Sequence, residues 1–78
     1  MAEPRLIRHI AREIRNDWKT IGPAANAYLE PMETLSYITD MYLYDSALSV
    51  VTYFLSNNGS WRGDTARRIK TELKELCK

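Results

Sequence analysis

Apolar residues recur at helical spacing through the first quarter of the chain. Leu6, Ile7, Ile10, Ala11, Ile14, Trp18 and Ile21 fall on one arc of about 140° when successive residues turn by about 100°. This spacing predicts a helix over 4–21. Pro4 suits a first turn, where a missing N–H costs nothing. Gly22-Pro23 is expected to stop the helix, the glycine as a left-handed C-cap.

Pro23 opens a second segment. Ala24, Ala25, Tyr28, Met32 and Leu35 fall on one face; Asn26, Glu30, Glu33 and Tyr37 fall on the other. Pro31 interrupts the pattern. It removes one backbone hydrogen bond and crowds the carbonyl four residues back, a cost of about 3 kcal/mol in a helix interior. One helix over 23–38, kinked at Pro31, is the reading; a stop near Leu29 with a restart at Pro31 is the alternative.

Residues 39–44 read as a loop carrying Met41, Tyr42 and Tyr44, and Asp45-Ser46 offers an N-cap oxygen. A third helix is expected over 46–57, with Ala47, Leu48, Val50, Val51, Phe54 and Leu55 apolar over about 160° of its circumference. It should be the most buried element. Asn57-Asn58-Gly59-Ser60 is a turn. Trp61, at the corner beyond it, is expected to fold back and clamp the third and fourth helices; an exposed Trp61-Arg62 pair acting as an interface anchor is the alternative. Asp64 is the N-cap candidate of a fourth helix over 65–76, striped by Ala66, Ile69, Leu73 and Leu76. The expectation is an all-α fold, a small bundle of about four helices.

With 78 residues, the chain is one helical domain over 1–78. A domain of this size buries only about 60% of the surface its unfolded chain exposes, so its core is thin. Trp18, Val51, Phe54, Leu55, Ile69 and Leu73 are the expected centre, and Tyr28 and Tyr53 are assigned to the core with them. The single cysteine, Cys77, excludes an internal disulfide framework and a cysteine-built zinc site. Met1-Ala2-Glu3 leads straight into a charged pattern without an apolar leader. No apolar run approaches the roughly 20 residues that span a bilayer. A cytoplasmic location and no membrane partner are expected.

The net charge of +1 hides a sharp division. No lysine or arginine stands between Lys19 and Arg62, and that middle holds Glu30, Glu33, Asp40 and Asp45 with all five tyrosines. On the first helix Arg8, Arg12, Arg15 and Lys19 form a stripe about 60° wide at helical spacing. Arg67, Lys70, Lys74 and Lys78 form a similar stripe on the fourth, with Arg62 just before it. These stripes could meet phosphates or an acidic protein surface. They could equally be solvated, or packed beside the acidic middle. Tyrosine offers apolar area with a polar tip and is enriched at interfaces. Tyr37, Tyr42 and Tyr44, near the loop, are therefore contact candidates.

Catalytic chemistry is sparse. His9 stands alone, Cys77 has no base in its neighbourhood, and Gly22, Gly59 and Gly63 form no phosphate-cradling loop. Arg62-Gly63-Asp64 spells an adhesion tripeptide but reads as a turn and a cap. No enzyme, cofactor or metal site is expected.

Tyr44-Asp45-Ser46, Tyr53-Phe54-Leu55-Ser56-Asn57 and the run from Trp61 to Lys70 give the C-terminal half a resemblance to short hypothetical proteins of bacteriophages and other mobile elements. The resemblance carries no functional residue. It implies a small accessory protein that binds a host or defence component, an inhibitor being one form of this. Protein–protein binding is thus the leading functional expectation. Nucleic-acid binding by the basic stripes is the alternative, and a homodimer is a third, favoured by a thin core.

Overall fold

A computed structural model describes residues 4–78; the reading of Met1, Ala2 and Glu3 as a charged start lies outside the described residues. Four helices carry the fold: α1 (Ile7–Asp17), α2 (Pro23–Met32), α3 (Ala47–Leu55) and α4 (Asp64–Leu76). Between α2 and α3 lies a small antiparallel hairpin of β1 (Met41–Tyr42) and β2 (Asp45–Ser46). Helices of this length are marginal alone in water, so tertiary packing holds them. α2 packs most extensively on α3, and contacts of α1 with α2 and α4, and of α3 with α4, complete the bundle. The shortest dimension, 19 Å, corresponds to about two helix diameters. The core is accordingly a single layer between packed helices.

That layer is built from Ile7, Ile10, Ala11, Ile14 and Trp18 of the α1 region, Ala25, Leu29 and Met32 of α2, Ala47, Val50, Val51 and Phe54 of α3, and Ala66, Ile69 and Leu73 of α4. Trp18, Val51, Phe54, Ile69 and Leu73 are buried as expected, while Leu55 is only partly buried. On α2 the buried face runs through Ala25, Leu29 and Met32; Ala24, expected there, is exposed.

The helix bounds differ from the periodicity for identifiable reasons. α1 begins at Ile7, and Pro4 precedes it. The N–H groups of Ile7 and Arg8 donate to the carbonyls of Ser36 and Leu35, both at 2.9 Å. The connection after α2 thereby caps α1, taking up donors that every helix start leaves open. α1 ends at Asp17 because Trp18 adopts an extended backbone (φ −94°, ψ 97°). Gly22 is no left-handed cap: its φ of −70° is ordinary, and it serves as the N-cap of α2.

α2 does not run on to residue 38. It ends at Met32, with Pro31 buried in the last turn. Thr34 and Leu35 then donate to Pro31 and Met32 in tighter, three-residue turns. Ser46 caps α3 as expected, its Oγ accepting from the Ser49 N–H at 3.0 Å. Asp64 is the first residue of α4, and Gly63 is its cap, at φ 112°. Only glycine holds that backbone conformation without strain.

Candidate functional site

The hairpin is the feature that periodicity did not show. Its strands pair Met41 with Ser46 and Tyr42 with Asp45, leaving Leu43 and Tyr44 as the loop. Two-residue hairpin loops demand positive φ, which glycine normally supplies. Here Leu43 supplies it, at φ 54°. Asp40 locks the base. Its Oδ2 accepts from the backbone N–H groups of Ser36 (3.0 Å) and Tyr37 (2.9 Å). The Asp40 carbonyl accepts from the Ala47 N–H at 2.8 Å, tying the hairpin to the start of α3.

This locked hairpin displays large apolar side chains to solvent. Tyr44 is 99% exposed, Leu43 79%, and Tyr37 and Met41 more than half. Single exposed apolar residues are normal on a protein surface; several on one short segment mark an interaction surface. Tyr37 also lines an apolar cleft of about 250 Å³ with Ile7, Ile38 and Leu76. Of the three tyrosine candidates, Tyr37 and Tyr44 are exposed, whereas Tyr42 is half-buried against the core. Leu43 escaped the sequence reading because no glycine marked the turn. Tyr53, expected in the core, is instead 53% exposed, and it stacks on the partly buried Tyr28 with ring centroids 5.4 Å apart.

The basic candidates divide between two surfaces. Arg15 pairs with Glu33, just past the end of α2, and donates to Asn26 at 2.8 Å; Arg8 donates to the Ser36 hydroxyl at 2.7 Å. With Arg12 they line a cleft on the α2 side of α1. Lys19 is exposed beyond it. The other edge of α1 carries Glu13, which pairs with Arg68 of α4 and with Arg5. Arg5 also grips Glu72 with two hydrogen bonds, of 2.8 and 2.6 Å. The hydrogen bonds to Glu72, ahead of the one to Glu13, hold the Arg5 guanidinium above its ordinary range against the effect of burial. Arg5 and then Arg68 hold the Glu13 carboxyl below the usual carboxylate range. The α1 stripe thus lies on the edge away from α4, and the two stripes form no joint track.

On the α4 side, Arg62, Arg67 and Lys70 converge at the Trp61 corner, and Lys74 is exposed further along the helix. Trp61 is 2% exposed. It stacks on Trp18 at 5.7 Å and 10°, and its Nε1–H donates to Asp17 at 2.8 Å. The expected clamp exists, but it grips the end of α1 as well as the α3–α4 corner.

Among the described residues no group of three or more histidine, cysteine or acidic side chains is placed to hold a metal ion. None of their helices is long and apolar enough to cross a membrane. No protein-family model, curated protein or solved structure matches the chain.

Proposed function

We propose that this chain is a small non-enzymatic accessory protein, of phage or mobile-element type, that binds a host or defence protein through the 37–44 hairpin region. The observation that carries this reading is the exposure of Leu43, Tyr44, Met41 and Tyr37 on a backbone that Asp40 holds in one shape. A preformed loop loses little conformational freedom on binding, so its apolar and aromatic area contributes to affinity with little ordering cost. Aromatic anchors are also what dominates protein interfaces energetically.

Nucleic-acid binding is separated from this reading by one comparison. Bacterial lysate is passed over the immobilised protein, a Leu43→Ser/Tyr44→Ser variant and an Arg8→Glu/Arg12→Glu variant, each with and without nuclease. Hairpin-mediated binding predicts a stoichiometric protein that is lost only with the first variant and is indifferent to nuclease. Loss with the second variant or with nuclease contradicts it.

A further inference from the structure

The Trp61 corner holds a second feature, independent of the hairpin. Trp61, Arg62, Gly63, Ala66, Arg67 and Lys70 line a cavity of about 290 Å³ between the α3–α4 turn and the first turns of α4. Three cations from two segments face one small space. Lys70 is anchored there: its Nζ donates to the Trp61 carbonyl at 2.6 Å and lies 5.8 Å from the Trp61 ring centroid. An ammonium has three donors, so others remain for a ligand.

Neither Arg62 nor Lys70 makes an ion pair among the described residues. Arg67 has only Asp64, 3.9 Å away, with both side chains largely in water. Burial first, and then repulsion from Arg62 and Lys74, push the Lys70 ammonium below its ordinary range. The neighbouring cations are therefore uncompensated. An anion seated among them would relieve that repulsion.

We infer that this cleft binds a single phosphate group, held by the guanidinium groups of Arg62 and Arg67 and the ammonium of Lys70. Arginine forks match phosphate oxygens in pairs, and such charge-assisted bonds are the strong ones. The surroundings favour one phosphate over a nucleic-acid strand. Along α4 only Lys74 continues the unpaired run past the cleft, since Arg68 pairs with Glu13 and Lys78 with Glu75, and Asp64 closes the other end. A backbone track would need unpaired cations continuing past the cleft.

The test is a titration of the isotope-labelled protein with inorganic phosphate, against sodium chloride at equal ionic strength, followed by amide and indole NMR shifts. Saturable shifts are expected at Trp61, Gly63, Arg67 and Lys70, with phosphate and not with chloride. Arg62→Gln and Arg67→Gln, both on exposed residues, should each weaken binding about tenfold, the loss of one charged hydrogen bond. Asp64→Asn should tighten it. Arg12→Gln, on the other basic cleft, should change nothing. A phosphoserine peptide that shifts the same signals with the same variant dependence extends the site to phosphomonoesters. Equal shifts with chloride, shifts that do not saturate, or affinity indifferent to Arg62→Gln and Arg67→Gln would overturn the inference. So would duplex DNA that binds more tightly than phosphate and depends on Arg62, Arg67 and Lys74.

Discussion

Replacing Trp61 tests the packing that joins the two ends of the fold. The ring is 2% exposed, lies flat on Trp18, and donates its indole N–H to Asp17. Trp18 in turn meets Phe54 edge-on at 6.4 Å, so the corner reaches the centre of the core. Trp61→Ala removes the ring and leaves a cavity, which costs about 3–5 kcal/mol. Small domains have about 0.05–0.15 kcal/mol of stability per residue, or about 4–12 kcal/mol for a chain of this size. The substitution therefore consumes a large part of the total. Trp61→Phe keeps most of the stack and loses the indole donor. Asp17 is exposed, so its carboxylate returns to water, and a loss of about 2 kcal/mol is expected. Asp17→Ala strands the indole N–H in a buried position, a cost of about 1–3 kcal/mol. Urea unfolding followed by far-UV circular dichroism measures all three without relying on tryptophan emission. In thermal unfolding each 1 kcal/mol corresponds to about 4–8 °C. A Trp61→Ala protein within about 1 kcal/mol of the parent would refute the clamp.

Phe54→Ala, at a fully buried position on α3, should cost about 3–5 kcal/mol in the same unfolding assay; an unchanged transition would show that α3 is not central. Glu13 has its folded pKa lowered by Arg5 and Arg68, so its stabilising contribution is present above the ordinary carboxylate pKa and is lost as pH falls through the lower, folded value. Glu13→Gln should thus flatten the acid limb of a stability-against-pH curve while costing only about 0.5 kcal/mol near neutrality; an unaltered acid limb would contradict the pairing. Leu43→Gly relieves the positive φ but adds chain freedom to the unfolded state, so thermal stability should change by less than about 1 kcal/mol. Binding should fall with the lost side chain, and retained binding would remove Leu43 from the contact.

Helix existence was legible in the sequence because each helix carries an apolar stripe of the right period. Ser46 as a cap was legible because local chemistry decides it; the burial of Trp61 could be read from its corner position, but its partners Trp18 and Asp17, far back in the chain, could not. Helix ends were less legible. α1 starts at Ile7 because carbonyls of Leu35 and Ser36, far along the chain, take up its first N–H groups. The hairpin was hidden for a different reason: its strands are two residues each and its turn uses Leu43 where glycine is the usual sign. The tyrosine-bearing loop could be flagged, but not which of Tyr37, Tyr42 and Tyr44 turns inward. Likewise the two basic stripes were visible as stripes. That they occupy separate surfaces depends on which edge of α1 meets α4, and tertiary packing alone decides it.

The hairpin as a protein-binding surface is tested most directly by placing a photocrosslinking amino acid at Tyr44, 99% exposed at the loop tip, and at Thr71 on the exposed side of α4 as a control. Illumination in nuclease-treated bacterial lysate should yield one discrete protein adduct from position 44 and none from position 71. Excess parent protein should compete it away, and the Leu43→Ser variant should not. An adduct absent at position 44, equal at both positions, or equal to twice the protein's own mass would contradict binding of a host protein through the hairpin; the last of these would assign the surface to self-association.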